Sequence, residues 1–128
     1  MQEGKICIRK NVFQDKKKTI IFVHGLSGNL SAWSEYEKIF QKNYNIIMYD
    51  LRGHGKSLRY TSCDDYAIQN FSKDLNYIVK YFSIDKFLLV SHSFGTLVAI
   101  DYLLIHQEKI EKSIFLAPNF NVREKWLL

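Results

Sequence analysis

Four short apolar runs, each stopped by a loop of small or polar residues, limit what this chain can become. They are Thr19-Ile20-Ile21-Phe22-Val23, Asn45-Ile46-Ile47-Met48-Tyr49, Phe87-Leu88-Leu89-Val90 and Ser113-Ile114-Phe115-Leu116-Ala117. A continuous apolar run of four or five residues marks a strand covered on both faces. Between the runs the apolar spacing changes to that of a helix. Ser31 is placed as an N-cap, with Trp33, Tyr36 and Phe40 at i, i+3 and i+7. From about Tyr66 a longer helix carries Phe71, Leu75, Ile78 and Phe82 at i, i+4, i+7 and i+11. Strands alternating with helices predict an α/β fold, a three-layer α/β/α sandwich around a mostly parallel sheet. Ahead of them, Lys5-Ile6-Cys7-Ile8-Arg9-Lys10 alternates apolar and polar residues as a half-exposed strand does.

In parallel sheets the chemistry collects at the carboxyl ends of the strands. Three loops fall there. The first is His24-Gly25-Leu26-Ser27-Gly28-Asn29, and the second is Asp50-Leu51-Arg52-Gly53-His54-Gly55-Lys56-Ser57. The third follows Val90: Ser91-His92-Ser93-Phe94-Gly95, with the apolar helix through Thr96, Leu97, Val98, Ala99 and Ile100 directly behind it. A strand that turns sharply into a helix around a serine has the form of a nucleophile elbow. Strand and helix approach closely at such a turn, so the residues two before and two after the nucleophile must be small. Here they are Ser91, in place of the usual glycine, and Gly95. Taken alone, this stretch is equally compatible with a polar turn.

Composition excludes several other classes. At 128 residues the chain is a single domain at most, and 47% hydrophobic residues supply a core and argue against disorder. The net charge of +5 is moderate, and its one cluster, Lys16-Lys17-Lys18, reads as a solvated hairpin turn and not as a nucleic-acid patch. Cys7 and Cys63 form no ligand pattern, so neither a metal nor a cofactor is expected. They read as reduced thiols. With no signal-like apolar opening and no membrane-length segment, the expected address is the cytoplasm, away from any membrane. Gly53-His54-Gly55-Lys56-Ser57 ends like a phosphate-binding loop. The first glycine such a loop needs is Asp50 here, where a carboxylate would repel phosphate.

A strand ending in His-Gly, another ending in Asp-x-Arg-Gly-His-Gly-x-Ser, and a Ser-His-Ser-x-Gly elbow, in this order, resemble the α/β-hydrolase superfamily. The resemblance runs from about Lys5 to Pro118. It implies a serine hydrolase acting on an ester, amide or C–C bond of a small molecule, with Ser93 as nucleophile. It implies an oxyanion hole made by the backbone N–H groups of Leu26 and Phe94, supported by His24, Gly25, Ser91 and Gly95. His24 is expected to orient the oxyanion loop. In the second loop Asp50, Arg52 and Ser57 are expected to knit the turn, with no catalytic part. The family's sheet order would place the Asn45 strand outside Thr19, with Phe87 and then Ser113 on the other side. A non-catalytic relative that binds a ligand or partner is the alternative reading.

The sequence departs from the family after Ser93. The hydrolase order is nucleophile, acid, histidine, yet only Asp101 and His106 follow, both on the helix behind the nucleophile. Glu108 and Glu111 come later, and Glu124 is a weak candidate acid. His54, His92 and His106 are not expected to serve as general base, and the His92 side chain is expected to point away from the site. Residues 121–128 look like the beginning of a cap. The expectation is therefore a partial domain over 1–128, the amino-terminal half of such an enzyme, weak or inactive alone. Its strand at Ser113 would be an exposed edge open to association.

Overall fold

A computed structural model describes residues 6–119 of the chain. The expectations for Met1 to Lys5, for Glu124 and for a cap at 121–128 fall outside those residues.

Five strands form one sheet in the order β1-β3-β2-β4-β5. They are β1 (Ile8–Lys10), β2 (Thr19–Val23), β3 (Asn45–Tyr49), β4 (Phe87–His92) and β5 (Ile110–Leu116). The pairs β2·β3, β2·β4 and β4·β5 are parallel, and only β1 runs antiparallel, along β3. Thr19 lies opposite both Asn45 and Phe87, so the expected adjacency of those strands holds. Every residue of β2 and β3 is buried, as their unbroken apolar composition requires.

Helices α2 (Ile68–Tyr81) and α3 (Phe94–His106) cover one face of the sheet. There Phe71, Leu75, Ile78, Val98, Ala99 and Tyr102 pack on residues such as Ile21, Ile47 and Leu89. The other face carries Trp33 and Phe40 over Ile20, Phe22, Ile46 and Met48, through α1 (Ser34–Phe40) and the 3-10 turn before it.

Four local expectations need correction. The cap at the first helix is Asn29, whose Oδ1 accepts the Ser31 N–H at 2.9 Å, and Leu30–Trp33 is a 3-10 turn. Ser31 therefore lies inside the turn it was expected to cap. The long helix begins at Ile68, behind a separate 3-10 turn at Cys63–Tyr66. The lysine turn at 16–18 does not join a hairpin, because β1 leaves it to pair with β3 and not with β2. The last strand starts at Ile110 and not at Ser113, its first residues being hidden from an apolar search by Glu111 and Lys112.

Candidate active site

β4 enters the sheet through Phe87, Leu89 and Val90, and the chain must reverse into α3 within one residue. Ser93 makes that reversal at φ 49° and ψ −117°, a conformation costly for a residue with a side chain. Neighbouring bonds hold it in place. The Ser93 N–H donates to Leu116 C=O at 3.0 Å, and its own C=O accepts the Thr96 N–H at 2.9 Å. The turn is tight enough to constrain its surroundings. A Cβ at Gly95 would lie 2.6 Å from Val23 C=O oxygen and 2.7 Å from that of His24. One at Gly25 would lie 3.2 Å from Ser93 Cβ. Ser91 is fully buried, and its hydroxyl has no hydrogen-bond partner. Ser93 itself is partly exposed, at the amino-terminal end of α3, where the helix dipole favours negative charge.

The first loop lies directly beside it. His24 is buried and uses both ring nitrogens: Nδ1 sits 2.7 Å from Gly25 C=O, and Nε2 lies 3.0 Å from the Leu51 N–H. A carbonyl can only accept and an amide N–H can only donate, so the ring is the neutral Nδ1–H tautomer. Burial, with His54 beside it, lowers its pKa below the ordinary value, against a smaller opposing pull from the Gly25 bond. The ring thus ties the first loop to the second. Leu26 is 62% exposed, and Phe94 is buried with its ring edge-on to Phe71 at 5.2 Å.

The second loop is knitted by its own carboxylate. Asp50 accepts from the Leu30 N–H at 2.7 Å and the Lys56 N–H at 2.8 Å, and its C=O accepts from Ser57 Oγ at 2.6 Å. Gly55 has φ 50°, and a Cβ there would collide with the Asp50 carboxylate. Arg52 is buried and grips Asp74 with two bonds at 2.8 and 2.6 Å, and donates to Asp65 C=O at 2.6 Å. With its carboxylate bonded to the Leu30 and Lys56 amides, and the amides of Gly53, His54 and Ser57 bonded to backbone carbonyls, this loop offers no phosphate cradle.

The remaining imidazoles divide by environment. His54 Nδ1 lies 3.0 Å from Arg52 C=O, and His106 sits at the end of α3, 3.9 Å from Glu108. His92 is exposed, and its Nδ1 would lie 3.1 Å from a Cβ at Gly25. It lines a cleft of about 200 Å³ with His24, Ala32, Trp33, Tyr36 and Leu116. It therefore stands against the first loop instead of turning clear of it, because the kink at Ser93 brings the end of β4 onto Gly25. Asp101 lies within α3, two turns behind Ser93, and one of its carboxylate oxygens is buried without a partner. Neither it nor Glu108 approaches the elbow through any hydrogen bond among the described residues. Among those residues no group of three or more His, Cys, Asp or Glu could hold a metal ion. Nor is any helix there long and apolar enough to cross a membrane.

Comparison with known proteins agrees with this fold. A family model described as the alpha/beta hydrolase fold matches residues 18–127. A protein of Haemophilus influenzae named as an esterase/lipase is 29% identical over 107 residues, 80% of this chain and 36% of that protein. An epoxide hydrolase of Caenorhabditis elegans is 28% identical over 100 residues, 78% of this chain and 25% of that one. The chain thus spans about a third or less of the length of these relatives. Among solved structures, a thermophilic esterase from Thermogutta terrifontis superposes with a TM-score of 0.84 at 17% identity. That match covers 92% of this chain and 42% of the esterase.

Proposed function

The chain belongs to the alpha/beta hydrolase fold family, and from that premise we propose that it carries the nucleophile half of a serine hydrolase. Ser93 is the nucleophile, attacking the carbonyl of a small-molecule ester, amide or cleavable C–C substrate. The N–H groups of Leu26 and Phe94 receive the oxyanion, an effect worth about 3 kcal/mol per donor in comparable sites. His24, Gly25, Ser91 and Gly95 hold the two loops against each other. The relatives named as esterases, lipases and epoxide hydrolases support hydrolysis as the class of reaction.

One observation carries the assignment. Ser93 is held at φ 49° between β4 and α3, while Gly95 behind it and Gly25 in the facing loop leave just enough room for that turn. A serine serving only as a turn residue would be replaced there by glycine at a gain in backbone energy. The acid and the general base are not assigned to any of the described residues. The relatives that the chain matches are about three to four times as long as the matched stretch.

Active-site labelling tests the reading. Incubation with an alkyl fluorophosphonate, followed by peptide mass analysis, is expected to place the phosphonyl group on Ser93 and on no other serine. The reaction should be slow, and absent from Ser93→Ala. Labelling equal in native chain, Ser93→Ala and urea-unfolded chain would refute the nucleophile and favour a non-catalytic binding protein.

A further inference from the structure

The loops that enter the parallel strands lie at the end of the sheet opposite Ser93, and each of them carries lysine. Lys16, Lys17 and Lys18 precede β2, Lys42 precedes β3, Lys86 precedes β4 and Lys109 precedes β5. Lys80 joins them from the last turn of α2. Ion pairs hold only part of this charge: Lys18 meets Glu111 at 3.0 Å, and Lys109 meets Asp85 at 3.9 Å. Among the described residues Lys16, Lys17, Lys42, Lys80 and Lys86 form no ion pair, and all but the half-buried Lys17 are exposed. Asp15 is the acid of this end left in the same state. Helices α1, α2 and α3 also finish here, and each carboxyl end carries about half a negative charge. That suits Lys42 and Lys80, beside the ends of α1 and α2. It leaves Lys16, Lys17 and Lys86, which lead into β2 and β4, in excess.

Beside these lysines runs a line of aromatic contacts. The Phe13 and Phe82 rings are 6.0 Å apart, Phe82 meets Tyr81 edge-on at 5.0 Å, and Lys10 Nζ stands 4.4 Å over Phe13. The outer members of this line are open to solvent, Val12 at 84% and Tyr81 at 54%. We infer that this end of the sheet docks on an anionic lipid bilayer, with the lysines at the headgroups and Val12 and Tyr81 in the interface. The negative potential of such a surface attracts each ammonium group enough to change partitioning about fivefold. Tyrosine rings settle at headgroup level, and an exposed aliphatic side chain gains by leaving water there. A nucleic acid fits this end less well. Lys10 covers one face of Phe13, and Val12 has no ring on which a base could stack. The contact needs no membrane-length helix, so the lack of one among the described residues does not bear on it. Ile8 pairs with Tyr49 and Leu116 with His92, so both ends of the described chain leave from the other end of the sheet. Ser93 lies there too, about 20 Å away along β4. A docked molecule therefore turns Ser93 towards water.

Sedimentation with vesicles tests this, using phosphatidylcholine alone or with about one third phosphatidylserine. The chain should follow only the anionic vesicles and be released as salt shortens the range of the attraction. Lys16→Gln with Lys17→Gln should weaken partitioning about 25-fold, two lysines at about fivefold each. Val12→Ser should weaken it severalfold while leaving the salt dependence as it was. Arg59→Gln, which removes an exposed cation at the site end, should leave it within about twofold. Circular dichroism of each variant checks the fold, and the salt dependence of the unaltered chain stands without any variant. Absence of binding to anionic vesicles at low salt would overturn the proposal. Equal binding to both vesicles, or equal losses in the lysine and Arg59 variants, would do the same. A mixed-sequence single-stranded oligonucleotide that strips the chain from anionic vesicles at equal charge would overturn it too, and assign this end to nucleic acid.

Discussion

The residue that decides most in this chain is Gly95, because it stands where helix and sheet come closest. A methyl group there would press on two backbone oxygens that cannot move without shifting β2. Gly95→Ala is therefore expected to destabilise the fold by about 1–3 kcal/mol. It should also slow fluorophosphonate labelling more than its effect on stability explains, by displacing Ser93. Urea unfolding and labelling rate on the same sample separate the two effects. His24 gives a second expectation at this scale. Its folded pKa is lowered from 6.5, chiefly by burial. In the unfolded chain the ring takes up a proton more readily, so acid favours unfolding through this group. Its full contribution is present above about pH 6.5 and is lost as the pH falls towards the folded value. A protonated Nε2 would also confront the Leu51 N–H, donor against donor. Urea midpoints measured from pH 7.5 to 5 should fall, and His24→Gln should flatten the part of that slope due to the ring. An unchanged slope in the variant would assign the pH dependence to other groups.

At the scale of elements, α2 is tied to the loop after β3 by the buried Arg52–Asp74 pair, whose side chains are 9% and 4% exposed. Removing one partner strands the other charge away from water. Asp74→Ala should thus cost about 3–5 kcal/mol, much more than an exposed pair such as Lys38–Glu35. A measured cost below about 1 kcal/mol would mean that water reaches Arg52. Elements were legible in the sequence where a local rule governs them. The runs at Thr19, Asn45 and Phe87 became central strands, and the phase of Phe71, Leu75 and Ile78 became the buried side of α2. Elements shaped by distant partners were not. Whether β1 pairs with β2 or β3 depends on the whole sheet, and no residue near Lys16 records it. Glu111 and Lys112 are tolerable in β5 only because it is an edge, so the start of that strand had no apolar signature. The same holds in the site. The serine and its small neighbours are local and readable, whereas the contact of His92 with Gly25 arises from two segments far apart in sequence.

At the scale of the whole molecule, the sheet brings together a nucleophile candidate and two loops, while the four histidines are each accounted for without serving Ser93. Both nitrogens of His24 are engaged, and His54 leans on its own loop. His106 is at the far end of α3. His92 is exposed beside Gly25 and makes no hydrogen bond to Ser93 among the described residues. Without a base the Ser93 hydroxyl stays neutral at pH 7 and is a weak nucleophile. On the proposed reading, what would remain is the acceleration that binding and an oxyanion hole supply alone, about 10³–10⁴-fold over water when triad members are removed. The 128-residue chain is accordingly expected to hydrolyse p-nitrophenyl acetate far below ordinary enzymatic rates. Ser93→Ala should lower that residual rate further. The rate should also rise steadily with pH, because hydroxide and not an imidazole takes the proton. A plateau above about pH 7, at an ordinary turnover rate and lost in Ser93→Ala, would show that an imidazole serves Ser93 after all. His92→Asn would then be the decisive variant, since His92 alone of the four has its ring both beside the elbow and open to solvent.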